Sequence, residues 1–178
     1  MVLPVPSEMT ATVGQILTAA EWNSNVRDGI NFLLNPPMFV GTQATTQSIA
    51  NGAWGWLTID TSVVDTYSGH SNTTNNMRYT AQVAGWYECT ANVAWASNAT
   101  GVRSVALGVN STTPISATIF NLYPGTAGYD PICQTTYKVF LNVGDYVQGL
   151  VMQTSGAALL TASGASGQSF LTVEWVHQ

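Results

Sequence analysis

From Tyr87 to Trp95 this chain switches sides at every step: Tyr87, Cys89, Ala91, Val93 and Trp95 form one set, Glu88, Thr90, Asn92 and Ala94 the other. A two-residue period is that of a strand with one buried face. A helix needs apolar residues three and four apart, and this segment does not supply them. The stretch before it, Met77 to Val83, is a second strand pattern running into Ala84-Gly85, where a close turn is expected. A long amphipathic strand in mid-chain sets the expectation for the whole, an all-β fold.

Everything after Pro37 keeps this character. Met38 to Thr42 reads as a first strand, and Trp54-Gly55-Trp56-Leu57-Thr58-Ile59 follows a polar stretch from Gln43 to Asn51. A loop rich in Ser, Asn and Thr, Ser68 to Asn76, precedes Met77. Downstream, Val105, Leu107 and Val109 share one face of Arg103 to Asn110. Tyr137, Val139, Leu141 and Val143 do the same before Asn142 to Asp145 turns into Tyr146 to Met152. Small residues fill Thr154 to Gln168, a mobile connection by composition, and Leu171, Val173 and Trp175 share a face of the last strand, Ser169 to His177. Roughly eight to ten short strands separated by turn signals mean a sandwich or barrel.

The N-terminal part differs. The first 17 residues, with Pro4 and Pro6, read as an extended arm. Thr18-Ala19-Ala20-Glu21 is a capping-box pattern, and Trp22, Val26, Ile30 and Leu33 follow as one apolar helical stripe. The helix must end before Asn35-Pro36-Pro37, because neither proline continues it. The chain therefore divides into residues 1–37, arm plus helix, and residues 38–178, one β domain.

Composition narrows the function classes. Charged residues make up 7% of the 178 positions, against about 25% in soluble domains, and only Arg27, Arg78, Arg103 and Lys138 are basic. Six Trp and seven Tyr exclude a disordered chain. Either the surface is neutral and rich in hydroxyls and amides, or much of it is buried against other subunits, where charge is depleted and aromatics are enriched. The second reading is favoured. Each Trp brings about 150–250 Å², worth about 4–6 kcal/mol if fully buried, and several left in water would make sticky patches. A net charge of −5 with so few cations excludes phosphate-neutralising nucleic-acid binding. No apolar run is long enough for membrane insertion. Met1 to Pro6 lacks the basic and apolar regions of a signal peptide, so synthesis in the cytosol without secretory export is expected.

Catalytic patterns are missing. His70 lies in a polar loop and His177 is penultimate, both read as incidental, and no Gly-x-Ser-x-Gly elbow, phosphate loop or His-Glu-x-x-His occurs. Asp60 and Asp65 are the nearest carboxylate pair, but they flank Val63-Val64 and read as strand-end or turn residues. Cys89 and Cys133 read as small buried apolar side chains, with a disulfide between neighbouring strands as the second option, and nothing has metal-ligand spacing. Asn72, Asn98 and Asn110 sit in Asn-x-Thr triplets, which matter only on an exported eukaryotic protein. No enzyme activity, cofactor or metal is expected.

Four blocks carry a resemblance. Arg78-Tyr79-Thr80 with Val83-Ala84-Gly85-Trp86-Tyr87 resembles the strand–Gly–aromatic signature of the complement globular-head and TNF-like jelly roll. Arg103 to Asn110 is similar to that family's next strand, Leu141-Asn142-Val143-Gly144-Asp145-Tyr146-Val147 to its Leu-x-x-Gly-Asp-x-Val element, and Ser169-Phe170-Leu171-Thr172-Val173 to its closing strand. The resemblance implies a ten-strand jelly-roll β-sandwich packed as a homotrimer. It also implies Tyr137, Phe140, Tyr146, Phe170 and Trp175 as trimer contacts. Calcium at the trimer apex, found in some members, has no matching acidic cluster here.

A second resemblance lies in Leu17 to Asp28, running to Phe32-Leu33, which is similar to a helix recurrent before projecting domains of tailed-phage structural proteins. It implies a virion component assembled in the bacterial cytoplasm, with Leu17, Trp22, Val26, Ile30 and Leu33 as attachment residues to another virion protein. The stripe fits three roles: contact with its own core, helix–helix packing near a three-fold axis, or docking into that partner. The expected function is a non-enzymatic minor tail or tail-tip protein, with a host surface glycan or receptor as a further partner. A capsid decoration protein is the alternative. A carbohydrate-binding or cell-wall-degrading module, with Trp54 or Trp56 stacking on sugar, comes last.

Overall fold

The computed structural model describes residues 9–10, 12–124, 128–164 and 167–178. Most of the expected arm, residues 1–8 and 11, lies outside them.

The helical run starts where the capping box sets it. The Thr18 hydroxyl accepts from the Glu21 N–H at 3.2 Å, and the Glu21 carboxylate accepts from the Thr18 N–H at 2.8 Å. Helix α1 (Ala19–Trp22) continues through a π turn, Asn23–Arg27, into α2 (Asp28–Leu34). The wide turn has a local cause. The side chains of Asn25 and Ser24 donate to the Glu21 carbonyl at 2.9 and 3.3 Å, competing with the backbone for that acceptor. The run stops at Asn35, ahead of the two prolines.

The β domain consists of β1 (Met38–Thr42), β2 (Ser48–Ile49), β3 (Gly55–Trp56), β4 (Thr61–Asp65), β5 (Arg78–Thr80), β6 (Gly85–Ala94), β7 (Arg103–Val109), β8 (Phe120–Leu122), β9 (Ile132–Leu141), β10 (Tyr146–Gln153), β11 (Leu159–Leu160) and β12 (Phe170–His177). One sheet has the order β4-β1-β12-β6-β9. The other runs β3-β10-β7-β8 with β5 also on β10, and β11 pairs with β2 apart from both. All these strand pairs are antiparallel.

Between the sheets lies the set that alternation selected. Tyr87, Cys89, Ala91, Val93 and Trp95 are fully buried, facing Val105 and Leu107 of β7 and Val147 and Val151 of β10. On β12, Leu171 and Val173 join them. Cys89 and Cys133 are free. Cys89 lies opposite Tyr137 and Cys133 opposite Val93, four positions along the same ladder, about 13 Å apart and too far for a disulfide. Burial pushes both thiols up, Cys133 to about 11.

Several expectations are corrected. Met77 to Val83 is not one strand hairpinned to β6: β5 spans three residues and belongs to the opposite sheet, so the chain crosses the sandwich at residues 81–84. Gly85, at φ +152°, makes that entry possible, because a Cβ there would fall on the Trp175 indole nitrogen and the His177 carbonyl oxygen. Of Trp54 to Ile59 only Gly55–Trp56 is strand: the Leu57 N–H still donates to Gly149 of β10, but the Ile59 N–H leaves that ladder for the Asn76 carbonyl. Residues 43–51 and 154–168 are more than connections. They contribute β2 and β11, and a buried polar cluster joins them, with the Thr161 hydroxyl donating to Gln43 Oε1 at 2.6 Å. Val143 lies beyond the end of β9 and is exposed.

Candidate functional site

The helical run is seated on the sandwich by Phe32. Phe32 is buried, its ring edge-on to Trp175 at 4.9 Å and to Tyr67 at 6.4 Å, with Val83 completing a small cluster separate from the main core. Trp175 is oriented by its indole N–H, which donates to the Ala84 carbonyl at 3.2 Å. Its backbone N–H donates to Pro37 at 2.9 Å, tying the helix exit to β12.

The other apolar side chains of the run are left partly or largely exposed. Trp22 is 53%, Ile30 52% and Leu33 71% exposed, Leu17 is exposed as well, and Val26 is half-buried. Between them and the sandwich runs an apolar groove of about 440 Å³, lined by Val26, Gly29, Ile30, Phe32, Leu33 and Trp175. Of the five attachment residues named from the sequence, Val26, Ile30 and Leu33 share this groove, Trp22 is exposed on α1, and Leu17 lies ahead of the helix. The contact with the domain's own core falls to Phe32, which the stripe omitted. Its signal was present in the sequence: Phe32 lies four residues before the Pro36-Pro37 stop, where the rod must turn back onto the sheet.

The second region is the outward face of the β4-β1-β12-β6-β9 sheet. Ladder register sets its rows. Trp86 stacks edge-on against Phe140 at 5.8 Å, beside His177. Next come Glu174, Glu88 and Lys138, with Lys138 Nζ 3.8 Å from Glu88. Then come Thr172, Thr90 and Thr136, the last two joined hydroxyl to hydroxyl at 2.8 Å. Phe170, Asn92 and Gln134 form the fourth row. The face is aromatic at the Trp86–Phe140 end and polar beyond it, apart from Phe170 in the fourth row.

The five trimer contacts named from the sequence do not share this face. Phe140 and Phe170 lie on it. Tyr137 and Trp175 have the opposite parity, Tyr137 exposed on the edge strand β9 and Trp175 taken up by the helix seat. Tyr146 is on the other sheet, beneath the Arg78 guanidinium. Trp86, part of the resembling block but not among the five, lies on the face as half of its aromatic pair.

The remaining candidates are structural. His70 is half-buried against Phe39, ring centroids 4.5 Å apart, and its two ring nitrogens meet the Arg78 and Ile59 carbonyls at 2.8 and 3.0 Å. It pins a loop and is not incidental. Asp60 and Asp65 flank β4, as expected, and each carboxylate accepts two backbone N–H groups, from Ala44 and Thr45 and from Gly69 and His70 respectively. Burial pushes the Asp60 carboxyl up, but its hydrogen bonds outweigh this and hold it below the usual range. Among the described residues no group of three or more His, Cys, Asp or Glu could hold a metal, and no helix is long and apolar enough to cross a membrane.

With this geometry in view, solved structures of like architecture can be placed beside it. The globular domain of zebrafish complement 1qA protein superimposes with a TM-score of 0.57 at 12% identity, covering 80% of this chain and 98% of its own. Murine APRIL at pH 8.5 gives 0.55 at 11% identity, over 78% and 98%. The fold is a complement-head and TNF-like jelly roll. Murine APRIL at pH 5.0 agrees, with a TM-score of 0.55 at 10% identity over 79% and 98%. No family model matches the sequence, and no curated protein matches it. At such identities the kinship is one of backbone path. What the jelly roll does here is argued from its own surfaces.

Proposed function

We propose that this chain is a non-enzymatic structural module that works as a homotrimer, carried on a larger particle by its N-terminal helix. Among such particles, a tailed bacteriophage assembled in the host bacterial cytoplasm fits best, with the protein as a minor tail or tail-tip component. The observation that carries the reading is the helical rod. It is seated by the buried Phe32 and leaves Trp22, Ile30 and Leu33 exposed, the last two lining an open apolar groove. A lone domain gains nothing from such a stripe, whereas an assembly partner gains its burial. The phage assignment is supported by the similarity of Leu17 to Leu33 to the tailed-phage helix, and the trimer by the family's habit of packing in threes.

The outward face of the first sheet supports the trimer on chemical grounds too. Glu88 and Glu174 lie directly opposite, an unfavourable arrangement that Lys138 relieves only at Glu88. Strand β9 is an edge strand, so it can bring its Lys138 against the Glu174 of a second copy.

The test is sedimentation of the full chain and of an I30E/L33E variant, each then mixed with particles lacking the protein. Trimers in both, with only the unaltered chain bound, are expected. A monomer at every concentration overturns the trimer, and undiminished binding by the variant overturns the helix as anchor. Imaging of bound copies then separates tail from capsid.

A further inference from the structure

The chain's four basic side chains have unequal fates. Arg27 pairs with Asp28 at 2.9 Å and Lys138 with Glu88 at 3.8 Å. Arg103, fully buried, donates to the carbonyls of Asn98, Thr100 and Val102 at 2.9–3.1 Å. Arg78 has no ion pair among the described residues. Its guanidinium lies over the Tyr146 ring, 4.4 Å from the centroid. The carboxylates of the flanking turns are committed elsewhere. Asp65 accepts from the N–H groups of Gly69 and His70, and Asp145 from Asn110 and Asn142.

Arg78 also lines a polar pocket of about 290 Å³, together with Ser68, Ser71, Thr74, Thr80 and Gln82. Backbone bonds brace its walls, Arg78 N–H to Asn75 and Thr80 N–H to Gly69. The Ser71 hydroxyl oxygen accepts from Thr73 and Thr74, which leaves its proton directed elsewhere. Because Tyr79 and Val147 point into the core, Arg78, Thr80 and Tyr146 face outward on the second sheet. This surface is on the far side of the sandwich from the face assigned to the trimer.

We propose that this pocket binds one sugar residue bearing an oxyanion, a carboxylate or a phosphate. Tyr146 lies against the guanidinium, its ring centroid 4.4 Å from Cζ, and no carboxylate among the described residues pairs with the N–H groups, which are free to grip an oxyanion in bidentate fashion. The surrounding hydroxyls and amide match the hydroxyls of a pyranose, and the volume suits a single unit rather than a chain. In a protein with net charge −5 and few cations, an arginine held over an aromatic ring with no ion pair among the described residues is a specific anion contact.

The full chain is titrated calorimetrically with glucuronate, glucose 6-phosphate, glucose, acetate and inorganic phosphate. Saturable binding of glucuronate or glucose 6-phosphate, and none of glucose, is expected; which of the two binds identifies the anion. Arg78→Gln should weaken that binding tenfold or more and Arg78→Lys less, while both retain the thermal midpoint within a few degrees. Thr74→Val, which leaves the cation in place, should also weaken it. No saturable binding up to about 10 mM, well above any useful affinity, overturns the proposal. So does binding that Arg78→Gln leaves unchanged, or acetate and inorganic phosphate binding as tightly as the sugars. Sedimentation of the same samples is independent of all these outcomes.

Discussion

Gly85 occupies a position that no other residue fills without strain. Its φ of +152° is outside the range of L side chains, and the space a Cβ would need holds the Trp175 indole and the His177 carbonyl. Gly85→Ala should cost about 2–3 kcal/mol, the sum of backbone strain and displacement of Trp175, seen as a lower urea midpoint with an altered tryptophan spectrum. A second single-residue effect is electrostatic. The Asp60 carboxyl is pushed up by burial and pulled further down by the N–H groups of Ala44 and Thr45 and the hydroxyls of Thr45 and Thr61. A depressed carboxyl contributes stability that is present above its unfolded value, near pH 4, and is lost as pH falls through its folded value. Asp60→Asn should therefore destabilise by about 1 kcal/mol at pH 7, solvent screening included. The gap between the two melting curves should close as pH falls below the ordinary carboxyl value, near 4, and through the depressed folded one. A gap independent of pH would show that shape, not charge, fixes the Ala44–Thr45 turn.

At the scale of elements, the helical run and the sandwich depend on each other through Phe32. Its ring is shared among Trp175, Tyr67 and Val83, a cluster joined to the main core by Trp175 and by the Tyr87 hydroxyl, which donates to the Val83 carbonyl at 2.6 Å. Phe32→Ala should free the rod at a cost of about 3 kcal/mol to the local unit, while the sandwich melts cooperatively near its original midpoint. Hydrogen exchange would report this as lost protection in residues 19–34 and retained protection in β6 and β12. Elements with a strong period were readable from the sequence: β6 and β12 bury the parity that alternation chose, with Trp175 half-buried, and the capping box and prolines mark the helix ends, whereas β7 buries both of its faces. Short strands were not readable. β2, β3, β5 and β11 have two or three residues each, and their pairing is decided by distant partners such as Gly149 and Gln153. The π turn was equally hidden, because it depends on two side chains competing for one carbonyl. Site residues were hardest, because a face is a property of register between strands. Parity within β9 separates Tyr137 from Phe140, yet only the ladder shows that Trp86, not Trp175, is Phe140's neighbour.

For the whole molecule, the sparse charges are informative because there are so few. Two acids and one base make a row across the outward face of the first sheet, Glu174, Glu88 and Lys138, and the base serves only one of the acids within a single copy. If that face closes against second copies, Lys138 on the edge strand is the group that crosses, and reversing it places like charges at every contact. Lys138→Glu should thus dissociate the proposed trimer while leaving the fold intact, since the side chain is exposed and its surface pair is worth under about 1 kcal/mol. Sedimentation at increasing salt gives the signature. Screening over about 8 Å at physiological ionic strength, and less above it, should partly restore assembly of the variant. Combining Lys138→Glu with Glu174→Lys should restore it at low salt, because the swap rebuilds attraction between copies. A Lys138→Glu variant that sediments as the unaltered chain does would place assembly in the helical rod instead. The uncovered stripe of Trp22, Ile30 and Leu33 would then be the seam between copies rather than the anchor to a particle.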